Sequence, residues 1–279
     1  MQQKDNKKPL ENEGQKVEED VQNAVSQAQQ EVARSRVPWY RAFQRTRVLI
    51  GFNVLLFGLF ALLAFFVHVY PVIPVDVNIT REFQENQNPW LRMLMFIVSW
   101  PGSQPFFMPA LVLLTVLAFW SVRLRLEAAL ILVLSIVSEV LNGLLKLLVS
   151  RPRPTASLVE VLQAAGGKSF PSGHVMAYVA YWGLLFSLVL ILFKMNRWWH
   201  YVLLIIPAFF VILVGPSRIY LGDHWASDVL GAYMIGGILL SLSLRIYLAL
   251  KQRGVLASPA RTPEEQAAEP QPQQEHSRA

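Results

Sequence analysis

The chain contains no cysteine. That removes disulfides, thiol nucleophiles and cysteine-held zinc from its chemistry. It is also short of charge: 16% of its 279 residues are Asp, Glu, Lys or Arg, and 53% are hydrophobic, where a water-soluble domain carries about 25% charge. The shortage is local. Residues 1–47 hold nine Lys/Arg and seven Asp/Glu, residues 251–279 hold four of each, and the 203 residues between hold only twelve and eight. So little charge cannot cover a soluble domain, which excludes a cytosolic enzyme, a disordered protein and a disulfide scaffold. The net charge of +6 does not point to nucleic acid, because no folded segment carries a basic face. Basic residues flanking apolar runs suit a membrane protein.

What the middle does have is long apolar runs, and a bilayer core takes roughly 20 apolar residues in a helix. Val48–Val67 supplies a first span. Met93–Val122 is uncharged but interrupted by Pro101-Gly102-Ser103-Gln104-Pro105, so Met93–Trp100 reads as a short interfacial or re-entrant piece and Phe106–Val122 as the second span. Leu126–Val149, Val175–Phe193, Tyr201–Gly215 and Asp228–Leu250 are the third to sixth. The expected fold is all-α, a polytopic bundle of six transmembrane helices over residues 48–250. A mostly disordered tail at 1–47, ending in a basic juxtamembrane stretch, precedes it, and a disordered tail at 251–279 follows. Arg34, Arg36, Arg41, Arg45 and Arg47 precede span one; Arg123 and Arg125, Lys194 and Arg197, and Lys251 and Arg253 lie after spans two, four and six. Six spans put all four groups on one side, which the positive charge makes cytoplasmic. Both termini are then cytoplasmic, and segments 68–105, 150–174 and 216–227 lie outside. No cleavable signal peptide is evident, since the first apolar run starts at Val48 and is long enough to span.

Three polar clusters fall at span ends on the outer side: Lys146 to Arg153-Pro154, Pro171-Ser172-Gly173-His174, and Ser217-Arg218 to His224 and Asp228. Loop cations that anchor helices at headgroups would account for one or two of these residues, but not for two histidines, three cations and an aspartate on one face. Lys146, Arg153 and Arg218 offer a pocket of donors and positive charge for a phosphate. Ser172 and Gly173 stand where span four begins, and a helix start presents free N–H groups to an anion. His224 and Asp228 are four apart, so on a helix they share a face. An aspartate that accepts from one imidazole nitrogen leaves the other free to attack. His174 is a second imidazole, available as a proton donor. No carboxylate cluster suits Mg²⁺; composition alone leaves a His/His/Asp zinc site open.

These segments resemble the three signature motifs of the type 2 phosphatidic acid phosphatase superfamily, which vanadium haloperoxidases share. The pattern is Lys, six residues, Arg-Pro; Pro-Ser-Gly-His; and Ser-Arg, five residues, His, three residues, Asp. Every fixed position is present here. The resemblance implies a metal-independent, cofactor-free integral-membrane lipid phosphatase that works through a phosphohistidine at the outer face of the cell membrane. His224 is then the nucleophile, Asp228 its orienting partner and His174 the proton donor. Lys146, Arg153, Arg218, Ser172 and Gly173 bind the phosphate. The partners expected are a lipid phosphate substrate (undecaprenyl diphosphate, phosphatidic acid or phosphatidylglycerophosphate) and membrane lipids, with no nucleic acid. A lipid phosphotransferase of the same family and a non-enzymatic anion- or lipid-binding membrane protein are the alternatives.

Other residues carry lesser expectations. Glu139, Asn142 and Lys146 share one face of span three, where Glu139 forms either a helix–helix hydrogen bond or a support for Lys146. Arg151 and Asp223, at variable motif positions, either form local ion pairs or tune the pocket with their charges. His68 is an interfacial histidine, and Arg245 snorkels. Gly231, Gly236 and Gly237 allow close helix packing. Loop 155–170 is either a brief helix at the mouth or a plain connector. Val17, Val21, Ala24, Ala28 and Val32 form a weak stripe in the N-terminal tail, either a solvated helix or disordered segment or a partner-binding helix.

Overall fold

The computed structural model describes residues 39–193 and 198–256; the stripe from Val17 to Val32 lies outside them. The described residues are helical with no strands. Helix α1 spans Trp39–Val69, α2 Pro74–Glu85, α3 Pro89–Ser103, α4 Phe107–Ser121 and α5 Arg125–Val149. Helix α6 spans Gly173–Leu192 with a π turn at Val179–Gly183, α7 Trp198–Tyr220 and α8 Ala226–Gln252.

Five helices (α1, α5, α6, α7 and α8) are long and apolar enough to cross a membrane. Helices α3 and α4 pass the same test only as a pair, bent by 70° at the break between them. The connectivity shows what the pair does. The His68 ring lies 2.9 Å from the Val149 carbonyl, so α1 and α5 both end at the same face of the bundle. The chain must therefore return between them. Helix α4, about 22 Å long at 1.5 Å per residue, runs back beside α5 and makes that crossing, which brings the crossings to six.

Five of the six spans run longer than the apolar runs suggest, because polar residues extend those helices past their hydrophobic part; α1 begins at Trp39, inside the stretch read as tail. Helix α4, Phe107–Ser121, is instead one residue shorter at each end than the run Phe106–Val122. Three differences matter. The piece read as Met93–Trp100 is a full helix, Pro89–Ser103, started by the Asn88 side chain, which accepts the Trp90 N–H at 3.0 Å. Helix α2 is not visible as an apolar run at all. Loop 155–170 contains no helix; it is held by its backbone, with Gln84 of α2 donating to Glu160 O (2.6 Å) and accepting from Glu160 N (3.0 Å).

Helix α8 is the hub and packs on α1, α5 and α6. Its Gly231 faces the Phe170 ring, where an added Cβ would come within 2.6 Å, and Gly236 faces Val179 at 3.2 Å. Gly237 meets nothing within 4 Å, so only two of the three glycines serve close packing. Phe170 stacks on Phe60 with ring centroids 5.7 Å apart. With Val175, Met176, Val229 and Ile235 these residues form an apolar floor beneath the clustered polar groups. Outward faces are apolar and exposed, Leu62, Phe65, Leu147 and Leu148 among them, as lipid-facing surface should be.

Candidate active site

The ends of α5 and α7, the starts of α6 and α8 and the segments that follow α5 and α7 meet at one face and carry all eight expected site residues. The link between α7 and α8 turns at Gly222, whose φ of +70° favours glycine; a Cβ there would fall 2.2 Å from Glu160 O. That turn lifts His224 off the end of α7. Helix α8 starts at Ala226, so His224 precedes it, and the shared helical face expected for His224 and Asp228 is not what joins them. Asp228 sits in the first turn, where the helix dipole favours a carboxylate. Its Oδ2 accepts the Trp225 N–H at 2.9 Å and approaches His224 Nδ1 to 3.6 Å. Ser169 Oγ donates to the same Oδ2 and lies 3.4 Å from Nδ1. The other oxygen, Oδ1, accepts from Arg151 Nη1 at 2.6 Å.

On the opposite edge of the His224 ring, Arg153 Nη1 lies 3.2 Å from Nε2. An arginine can only donate, so Nε2 is the acceptor and the ring proton sits on Nδ1, facing Ser169 and Asp228. His224 is 1% exposed. Burial, aided by the charges of Arg153 and Arg218 and opposed by Asp228, pushes its pKa down to about 3. The result is a buried, neutral imidazole with a lone pair on Nε2.

The cations gather around that nitrogen. Arg153 is braced by the carbonyls of Asp223 (2.8 Å) and Gly166 (3.0 Å). Arg218 contacts Asp223 and the Ser99 hydroxyl, and its Nε is buried without a hydrogen-bond partner. Gly173 opens α6 where a Cβ would lie 3.4 Å from Lys146 Nζ and 3.0 Å from Asn142 Oδ1; the missing side chain lets the lysine reach the helix start. The Ser172 N–H donates to Asp228 O at 3.2 Å, while its hydroxyl is buried without a partner. The charges of Arg218, Lys146 and Arg153 all bear on His174. Orphaned donors in a cationic pocket fit an anion that supplies acceptors. Among the described residues no three His, Asp or Glu side chains come together to hold a metal ion.

These are the three motifs assembled into one pocket. A profile of the PAP2 superfamily matches residues 127–252. Phosphatidylglycerophosphatase B of Bacillus subtilis is 33% identical over 191 residues, which cover 68% of this chain and 91% of that protein. The chain belongs to the PAP2 superfamily. The crystal structure described as the first transmembrane PAP2 type phosphatidylglycerolphosphate phosphatase, from Bacillus subtilis, superposes with a TM-score of 0.60 at 30% identity, covering 70% of this chain and 94% of that one.

Around the superfamily residues stand groups that no motif names. Arg151, 1% exposed, bridges Asp228 and Asp76 Oδ2 (2.7 Å) and donates to Pro71 O (2.9 Å) and Ser227 Oγ (2.7 Å). The ion pair expected of it is therefore made to the site's own aspartate. Asp223 pairs with Arg218 and lies 3.8 Å from Arg153 Nη1. Asn142 donates to Pro171 O at 3.1 Å and steadies the second motif. Glu139 is exposed and makes neither expected contact; its charge reaches Lys146 only through space. Ser99, Ser103, Gln163 and Ser169 are uncharged polar residues in α3 or in loops, where only the assembled fold shows their partners.

Proposed function

We propose that this PAP2-superfamily membrane phosphatase removes the phosphoryl group of a lipid phosphate through a phosphohistidine on His224, with no metal ion. The observation that carries the reading is the His224 ring: neutral, proton on Nδ1 toward Asp228, lone pair on Nε2 among the cations. Nε2 attacks phosphorus as the bond to the lipid oxygen breaks, and the departing oxygen takes a proton from His174. Asp228 holds the tautomer and stabilises the charge that His224 gains. Arg153, Lys146 and Arg218, with Ser172 and Gly173, hold the other phosphate oxygens and meet the charge that develops in the transition state. Arg153 must exchange its contact with Nε2 for one with the phosphate. Water, losing a proton to His174, then attacks phospho-His224 and releases inorganic phosphate.

The likeness to phosphatidylglycerophosphatase B favours phosphatidylglycerophosphate over phosphatidic acid and undecaprenyl diphosphate. Lys/Arg asymmetry between the two faces supports cytoplasmic termini and a pocket on the outer side. Phosphate release by purified protein in detergent, from each of the three lipids with and without EDTA, tests the reading. Phosphatidylglycerophosphate should turn over fastest, and EDTA should not matter. Loss of activity on chelation that Mg²⁺ or Zn²⁺ restores contradicts metal independence; no release from any lipid contradicts the phosphatase reading.

A further inference from the structure

His224 has a carboxylate to orient it; what the His174 ring touches is a hydroxyl. Its Nε2 lies 3.1 Å from Ser103 Oγ, in the last turn of α3, outside all three motifs. Ser103 Oγ has three other close neighbours, the Ser99 carbonyl at 3.0 Å, the Ser99 hydroxyl at 3.4 Å and Gln163 Nε2 at 2.8 Å. A hydroxyl has one proton and two lone pairs. The Ser99 carbonyl can only accept and is nearer than the Ser99 hydroxyl, which turns its own hydrogen to Gln163 Oε1 at 3.5 Å, so the carbonyl takes the Ser103 proton. Arg218 Nη1 faces Gln163 Oε1 at 3.4 Å, which turns the amide nitrogen toward Ser103 as a donor. The remaining lone pair meets His174 Nε2, which must then carry hydrogen. The wall behind the ring is shaped for this contact. A Cβ at Gly102 would lie 2.5 Å from His174 Cδ2 and 3.1 Å from Nε2, so only glycine there lets the ring reach Ser103. The Gly102 N–H in turn donates to Tyr178 OH at 3.2 Å, and that hydroxyl donates to Val98 O at 2.7 Å.

We infer that Ser103 is a positioning residue for the reaction: it keeps a proton on Nε2 of His174 and makes Nδ1 the nitrogen that exchanges protons with the leaving oxygen and the attacking water. This rests on the acid–base role proposed for His174. In the first half-reaction His174 starts as the cation left by the preceding turnover, and its Nδ1–H bond breaks as the lipid oxygen, losing phosphorus, takes the proton. In the second, Nδ1 takes a proton from water as the water oxygen bonds to phosphorus. The Nε2 proton stays on Ser103 throughout, so the ring alternates between cation and neutral form and never becomes an imidazolate. The protons that the two histidines keep throughout then sit on opposite nitrogens, Nδ1 in His224 and Nε2 in His174.

The test is the leaving-group dependence of kcat/KM, measured on the full-length protein in detergent with dodecyl phosphate and 4-nitrophenyl phosphate. kcat/KM covers the steps through phosphoryl transfer, so slow hydrolysis of phospho-His224 does not mask them. A general acid is worth about 10²–10⁴-fold, and an alkoxide needs it where a nitrophenolate does not. Ser103→Ala should lower kcat/KM about 10- to 100-fold on dodecyl phosphate and by a clearly smaller factor on 4-nitrophenyl phosphate. Ser103→Thr, which keeps the hydroxyl, should recover the alkyl activity. Equal losses on both substrates overturn the assignment, as does no loss on dodecyl phosphate. A threonine variant no better than alanine, at wild-type melting temperature, overturns it too. His174→Ala should show the same discrimination, larger. If it does not, the acid role of His174 fails and the assignment to Ser103 with it; if it does while Ser103→Ala is flat, Ser103 alone is refuted.

Discussion

The two ends of the bundle hold similar polar chemistry to opposite effect. At the end away from the motifs, Lys251 Nζ lies 2.9 Å from Glu127 Oε1, Tyr247 OH donates to the same oxygen at 2.7 Å, and Lys251 donates to Tyr247 OH at 2.6 Å. Every group there answers another, and the cluster staples the start of α5 to the end of α8. At the motif end, Arg151, Arg218, Asp223, His224 and Asp228 are all at most 2% exposed, yet Ser172 Oγ and Arg218 Nε lack partners. Burying charge is costly wherever it happens. A closed cluster offsets that cost within the protein, whereas an unfinished one has donors to spare for a bound anion.

Substitutions should separate the two ends. The largest effect is expected from His224→Ala: a loss of phosphate release of about 10³-fold or more, with little change in melting temperature. Retained turnover in that variant would remove the nucleophile from the scheme. Next, Arg151→Met leaves Asp76 and Asp228 facing each other without a counter-charge. Breaking a buried pair in this way costs about 3–5 kcal/mol, and activity should fall with it because Asp228 loses its hold. Chemical denaturation and phosphate release check the two halves of that expectation. At the other end, Glu127→Gln should cost about 1 kcal/mol, since Lys251 is near enough to solvent to rehydrate, and activity should persist. A dead Glu127→Gln enzyme would mean that the staple is coupled to the site.

A pH dependence of stability is expected as well. Unfolded, His224 takes a proton near its ordinary pKa of 6.5; folded, it resists down to about 3. The unfolded state therefore binds more protons in that window, and the contribution of His224 to stability falls as pH drops from about 6.5 toward 3. Above that window it is constant. The melting temperature of the wild type should fall relative to that of His224→Gln as pH drops from 7 to 4. Parallel curves would mean that His224 is not held neutral.

Much of this architecture was legible from the chain because its signals are long or rigidly spaced. Apolar runs near 20 residues located five long helices, and fixed gaps located the three motifs. What escaped was what lacks such a signal. Helix α2 is polar and short, yet it carries Asp76 to Arg151. Helix α3 looked broken because Pro101, Gly102 and Ser103 read as a turn, whereas the helix runs through them and bends only beyond. Ser103 and Ser169 are unremarkable residues in sequence; each gains a role only from the histidine that the fold sets beside it. The contact between His224 and Asp228 was expected for a helical pair, but it comes from a glycine turn followed by a helix start.

The central claim is a covalent bond between His224 Nε2 and phosphorus, and it can be trapped. Purified protein mixed with a lipid phosphate radiolabelled in its terminal phosphoryl group, and quenched in alkali within the first turnover, should retain label. That label should be stable to base and lost in acid, as a phosphoramidate is, and should map to the peptide that contains His224. No label should appear in His224→Ala. Label on a serine, or full phosphate release with no transient label in wild type under single-turnover conditions, would contradict the account.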